Sequence, residues 1–434
     1  MIRKIFYGLM ALSMVACGKK STTHKETTPN QSSQNTAQDK TSPKTAIPHQ
    51  INIFLETSGS MKGYFAGQEF VALVTKLPTI SEGITQNKNV KINLIADNIV
   101  PYTQSHFDFS NEVSSKGAAF CTGKSSEMSK LFKNVADNTS NDAISLFVSD
   151  CILSFGNQAT NAVNVAALEA GIRSTFADIR QKGFAVSVYA FESTFKGSYF
   201  TMNNTEDRQS YKDGSQRRPF YVWAVGKKDL LAAFRKQIAN DQAFQPLQSL
   251  HVGFDYKVIN EYGVLAQMVQ QRGDFKVEKY KKLYDIDGVE ERPLAFYVGI
   301  NADNLPPYAL KNLLNEKKIK ITGQGVGGKV LKIETDLMPY NPVPADIAAM
   351  KNYTHFIKVQ IDKMIPEKAT LQIQLPFEAN EWYKACSTLD DTAPEKTKGK
   401  TFAFANLVNG VQEAYQEQKS FENFIDIKID LEKE

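Results

Sequence analysis

Ile51-Asn52-Ile53-Phe54-Leu55-Glu56-Thr57-Ser58-Gly59-Ser60-Met61 is the stretch that decides the reading of this 434-residue chain. Its first five residues make an apolar run of strand length. The run then stops on an acid, two hydroxyl residues, a glycine and a further serine. A buried strand that delivers polar side chains at its carboxyl end is how open α/β sheets build a ligand site. Glu56, Ser58 and Ser60 alternate along an extended tip, so all three can face one point. Three convergent oxygen donors suit a hard divalent cation.

The flanking sequence supports such a sheet. Between residues 48 and 241 strand-like runs (51–55, 91–96, 143–148, 184–191, 220–225) alternate with helical spacing (65–81, 128–135, 163–180, 227–238). That alternation predicts an α/β, doubly wound, mostly parallel sheet covered on both faces. Ile99 to Thr103 adds a short strand after a turn at Asp97-Asn98. The segment leading to Cys121 reads as a long polar loop, and Glu192 to Arg218 as a long polar insertion that shapes the ligand edge. Ser58 and Ser60 have a bland alternative as helix caps.

Glu56-Thr-Ser-Gly-Ser60 resembles the Asp-x-Ser-x-Ser motif of von Willebrand factor A (vWA) domains, with Glu for the leading Asp. The strand order resembles the whole Rossmann-like domain. The resemblance implies a variant metal-ion-dependent adhesion site holding Mg²⁺ or Mn²⁺. Its ligands would be Glu56, Ser58, Ser60, Ser126 (Ser125 a close second) and Asp150, with the acids balancing charge and holding metal-bound water. A coordination position left open would take an acidic group on a protein or glycan partner. On that layout Cys121 approaches Cys151, and the two are expected to pair; buried free thiols are the other reading.

The amino terminus reads as an export signal. A short basic start precedes an apolar stretch too short to span a bilayer, and residues 1–16 form the signal peptide. Met14-Val15-Ala16-Cys17 resembles a bacterial lipobox, which implies lipidation at Cys17. Residues 17–47 carry almost no large apolar side chains and read as a flexible linker. The expected location is the cell envelope, anchored to the outer membrane, with the periplasmic face favoured because no acid follows Cys17.

Residues 242–434 change pattern. Short alternating runs at 276–284, 294–300, 318–321, 329–334, 355–361, 370–375 and 425–429 predict a β-rich, immunoglobulin-like sandwich, with helices near 309–315 and 403–416. Gly323 to Gly328 opens no helix and reads as a hairpin turn, not a phosphate loop. Glu378, Glu381, Asp390 and Asp391 read as a solvated acidic surface.

The chain has 51 basic and 47 acidic residues, and no basic stripe with interleaved aromatics, so no nucleic-acid surface is expected. The five histidines have no zinc spacing. Neither a nucleophile elbow nor a Walker loop occurs. The leading expectation is therefore a lipid-anchored envelope binding or adhesion protein. The alternative is a structural subunit of an envelope complex, built on a degenerate, metal-free site.

Overall fold

Residues 46–123, 127–153, 162–201, 208–265, 272–416 and 422–434 are described by the structure, a computed structural model. Residues Thr45–Glu434 form one compact unit. The signal, the lipidation site Cys17 and most of the linker lie outside the described residues. Among the described residues no helix is long and apolar enough to cross a membrane.

The first layer is a seven-stranded sheet. Its strands are β1 (Gln50–Glu56), β2 (Val90–Ile95), β3 (Ile99–Tyr102), β4 (Ala143–Ser149), β5 (Phe184–Phe200), β6 (Arg208–Lys227) and β7 (Gln248–Val252), in the order β3-β2-β1-β4-β6-β5-β7. Helices α1 (Gln68–Glu82), α2 (His106–Lys116), α3 (Met128–Asp137), α4 (Ala162–Gln181) and α5 (Lys228–Ile238) connect them. The α/β class is as expected. The sheet is mixed, however, rather than mostly parallel: β1 runs parallel to β2 and β4, while the other four pairings are antiparallel. The cause is the segment read as a polar insertion. Residues 192–218 extend β5 and β6 into a long antiparallel hairpin that enters the sheet beside β4. Phe195 and Tyr199 on β5 and Tyr211 on β6 are its buried aromatics. Gly63 lets this hairpin cross the start of the first helix, since a Cβ there would lie 2.2 Å from the Phe195 ring.

Helix α2 occupies a stretch read as loop. Ser105 Oγ accepts from the Asp108 amide at 3.1 Å and Asp108 Oδ2 accepts from the Ser105 amide at 3.3 Å, a closed capping box. Only Phe109 and Val113 are buried along it, too few to produce a visible apolar stripe.

Strand β1 is buried on both faces. Ile51, Ile53 and Leu55 pack with α1, α2 and α5, while Phe54 packs with α3 and α4. The second face is completed from far along the chain. It receives α8 (Trp382–Ala385) and α9 (Phe404–Tyr415), with the short strands β16 (Ser387–Thr388) and β17 (Thr401–Phe402) between them. Phe404 stacks on Tyr221 with ring centroids 3.9 Å apart, and Asn406 donates to Glu169 of α4 at 2.8 Å.

The remaining strands form two further sheets. Five are β8 (Gly263–Leu265), β9 (Asp274–Glu278), β10 (Lys282–Asp287), β11 (Leu294–Ile300) and β12 (Lys320–Thr322). The others are β13 (Val326–Glu334), β14 (His355–Met364), β15 (Lys368–Pro376) and β18 (Asn423–Lys433), with α6 (Pro307–Leu313) and α7 (Pro344–Met350) between strands. The orders are β12-β15-β18-β10-β9 and β13-β14-β11-β8. Leu283, Val298, Ile357, Ile373 and Ile427 belong to one core shared by both sheets. Gly323–Gly328 does not close a hairpin. The turn carries the chain from β12 in one sheet to β13 in the other, and the two strands pair with different neighbours.

Removing the Phe404 ring should cost the whole unit stability, not only the carboxyl-terminal segment. The expected outcome for Phe404→Ala is a loss of about 3–5 kcal/mol. Urea unfolding followed by Trp fluorescence checks this, because Trp223 lies in the same core as Phe404.

Candidate functional site

The site forms where β1 and β4 end side by side. Their parallel register places Leu55 opposite Val148, so Glu56 closes β1 and Asp150 follows the last residue of β4 at the same edge. Two stitches fix the tip of β1. The Thr57 amide donates to the Ile95 carbonyl at 2.9 Å, and the Gly123 amide donates to the Thr57 carbonyl at 3.0 Å. Gly123 is needed for that approach, because a Cβ there would sit 2.3 Å from the Ala96 methyl. The loop from Cys121 to Gly123 therefore reaches the site, as expected. Ser125 and Ser126 lie outside the described residues. Thr122 is exposed, and Asp97 is exposed in the turn between β2 and β3.

Four of the sequence-chosen residues come together. Ser58 Oγ donates to Glu56 Oε1 at 2.6 Å and lies 3.1 Å from Ser60 Oγ. The Ser60 hydroxyl is in turn near enough to the Asp150 carboxylate to act to lower its pKa. The serines are not acting as helix caps: Ser58 makes no side-chain capping bond, and the cap position of α1 is Gly67. Glu56, Ser58 and Asp150 are all buried. Asp150 Oδ1 accepts from the Ile152 amide at 3.2 Å, while Oδ2 has no hydrogen-bond partner among the described residues. Burial, then the negative charge of Glu56, pushes the Asp150 carboxyl up to about 7.

The neighbouring cysteines are not bridged. Cys121 and Cys151 are both buried free thiols. Cys151 turns the chain sharply off β4 with φ 55°, its amide donates to Ser149 Oγ at 2.8 Å, and its sulfur accepts from Trp223 Nε1 at 3.1 Å. The sulfur thus faces the indole of β6, in the core on the α3 and α4 side. Cys121 belongs to the other core, with α1 and α2. Burial pushes both thiols up, so neither is a ready nucleophile.

Three features of this edge were not read from the sequence. The first is Arg218, wholly buried where β6 passes the site. Its guanidinium carbon lies 4.0 Å from the centroid of Tyr199, with Phe195 and Tyr211 at 5.6 and 5.9 Å. The second is a strap, residues 390–401, laid along the hairpin. Asp391 accepts from Tyr199 Oη at 3.1 Å, Thr397 Oγ1 lies 2.9 Å from Tyr211 Oη, and the Lys400 carbonyl accepts from Arg218 Nη2 at 3.3 Å. The third is Thr401, whose hydroxyl reaches the Asp150 carbonyl at 3.4 Å. Asp391 is thus buried and engaged, contrary to its reading as solvated surface; Asp390, by contrast, is half-buried and pairs with Lys396 at 2.5 Å. An arginine opening the apolar run Pro219 to Val225 was the one local signal. The strap had none, since it joins residues about 180 to 250 apart in sequence.

Chemically, the edge offers two carboxylates and two hydroxyls, all oxygen, with one buried carboxylate oxygen unpartnered. That donor set fits a hard cation. Among the described residues no group of three or more His, Cys, Asp or Glu side chains could hold a metal ion, so the hydroxyls would have to contribute. No protein-family model matches this chain, and no curated protein matches it.

The raised carboxyl sets a sign for pH dependence. Folded Asp150 holds its proton up to about pH 7, whereas an ordinary aspartate releases it near 3.8. The folded state thus binds more protons in this window, and stability falls as pH rises from about 4 to about 7. In chelator, Asp150→Asn should remove that part of the decline and make the protein more stable than wild type above pH 7. Denaturant titrations at pH 5 and pH 8 check it; equal pH profiles would refute it.

Proposed function

We propose that this chain is a lipid-anchored envelope protein that binds a partner through a divalent cation. The observation that carries the reading is the unpartnered, buried Asp150 oxygen beside Glu56, Ser58 and Ser60, at the carboxyl ends of two parallel strands. The arrangement supports a vWA-like domain with a variant adhesion site. Strand order β3-β2-β1-β4, with an antiparallel edge strand, is the order of doubly wound sheets. The hairpin of β5 and β6 departs from it.

In this reading Ser58, Ser60 and the outlying Ser126 hold Mg²⁺ or Mn²⁺, and Glu56 and Asp150 balance its charge. The bound ion supplies a Lewis-acidic position for a carboxylate of a protein or glycan partner. Ser58 and Ser60 already lean on the two acids, so cation entry replaces hydroxyl–carboxylate bonds with hydroxyl–cation contacts. The β-rich half, with two sheets on one core whose strands pair antiparallel except β10 with β18, is read as an immunoglobulin-like spacer. Cys17 and the linker tether the unit to the outer membrane on the periplasmic side.

A second reading is favoured by a specific observation. The Ser58 hydroxyl is satisfied by Glu56 and the Ser60 hydroxyl by Ser58, and the strap covers the hairpin beside them. A metal-free scaffold within an envelope complex would look the same.

Thermal unfolding with and without excess Mg²⁺ or Mn²⁺ separates the two. A ligand that binds only the native state stabilises by about 2.7 kcal/mol at a hundredfold excess over Kd. The expected result is a cation-dependent rise in Tm in wild type that is absent in Ser60→Ala. A wild type indifferent to both ions would leave the scaffold reading.

A further inference from the structure

We propose that Arg218 is the built-in counter-cation of the Glu56 and Asp150 carboxylates, and that its fixed charge sets how strongly this edge draws a divalent ion. The second half of the proposal rests on the cation reading above; the first half does not.

A guanidinium stays charged at any working pH. Sealing one from water is expensive unless the charge is compensated. Arg218 has no exposed surface, and among the described residues only Nη2 has a hydrogen-bond acceptor, the Lys400 carbonyl. Nε and Nη1 have no hydrogen-bond partner among the described residues. No carboxylate forms an ion pair with Arg218 among those residues, although Arg217 next to it pairs with both Glu69 and Glu192. The ring face of Tyr199 offsets part of the cost, as a cation over an aromatic face does.

The rest of the compensation is available at the same edge. Tyr221 lies opposite Ser149 in the β4–β6 pairing, so Arg218, three residues earlier on β6, sits off the end of β4 where Asp150 sits. Consecutive strap residues then touch both charged residues: Lys400 holds the Arg218 guanidinium, and Thr401 reaches the Asp150 carbonyl. Tyr64, four residues after Ser60, donates to the Pro219 carbonyl at 2.7 Å and ties the serine turn to the same point of β6. One buried cation is thereby gathered with the buried carboxylates of Glu56 and Asp150 at the strand ends, and with that of Asp391, which reaches the cation's Tyr199 from the strap. The charge of Arg218 is also among the influences that lower the Asp150 carboxyl, against burial and Glu56.

The arrangement makes a directional statement. Two acids with one fixed cation pull less on an incoming Mg²⁺ than two acids alone. Removing the guanidinium charge should therefore weaken the metal-free protein and strengthen its response to the ion.

The test is a double-mutant cycle on the full chain with wild type, Arg218→Met, Asp150→Asn and the double variant. Unfolding is measured in chelator above pH 8, where Asp150 is ionised, and wild type and Arg218→Met are then titrated with Mg²⁺ at the same pH. Charge pairing predicts that Arg218→Met lowers Tm in chelator and that adding Asp150→Asn restores part of the loss. It also predicts that Mg²⁺ raises the Tm of Arg218→Met with a midpoint about tenfold below that of wild type. Strict additivity, with unchanged Mg²⁺ midpoints, would overturn the proposal. Non-additivity without any Mg²⁺ response in either protein would uphold the charge pairing and sink the cation reading instead. If Arg218→Met does not fold, Arg218→Lys keeps the charge without the planar fork. Wild-type-like folding and Mg²⁺ midpoint in that variant support the proposal; loss of folding there too would assign the residue to packing and overturn it.

Discussion

Charge burial is the constraint on which the architecture turns. Two carboxylates end adjacent parallel strands with almost no water contact, and a guanidinium is sealed beside them. Such groups are tolerated only where hydrogen bonds and opposite charge replace their hydration. Each surrounding feature supplies some of that replacement. The serine turn gives hydroxyls to the acids, the long hairpin gives aromatic faces to the arginine, and the strap gives it a carbonyl. The fold around the edge is thus an enclosure for charge, assembled from three regions of the chain that are distant in sequence.

That view also explains why the antiparallel hairpin matters more than its peripheral origin suggests. A parallel strand beside β4 would arrive from the opposite end of the sheet. The antiparallel β6 instead starts beyond the site, passes Arg218 along the edge, and then enters the sheet as an apolar core strand. Its partner β5 contributes Phe195 and Tyr199 to the same enclosure, and Tyr211 follows on β6 itself. The hairpin brings with it a floor that no loop of that length could hold in place.

Much of this was legible in the residues, and the failures have physical causes. The run from Ile51 to Leu55 declared itself because both faces are buried, so it is apolar throughout. Glu56, Ser58, Ser60 and Asp150 were found because ligand edges recur at strand ends, and the structure brings these four together. Helix α2 was missed because two buried side chains make no stripe, although Ser105 and Asp108 spelled its cap. The 192–218 segment was read as an insertion because its aromatics, Tyr199 and Tyr211 among them, stand singly among polar residues and show no strand run, whereas they belong to β5 and β6. Asp391 was misjudged because its partner, Tyr199, is 192 residues away. Pairings of that kind leave no local trace.

The placement of β18 carries a consequence for how the molecule comes into being. This strand is the last one described, yet it lies between β15 and β10, in the interior of its sheet. Before it arrives the chain has already crossed to the other layer to lay down α8 and α9. The five-stranded sheet therefore cannot close before β18 itself has emerged, and until then β15 and β10 present open edges on either side of a gap. Such non-local closure is slow, and unpaired edges invite association with other chains. A chaperone that shields those two edges until residue 433 has been released would act at the point where this topology is most exposed.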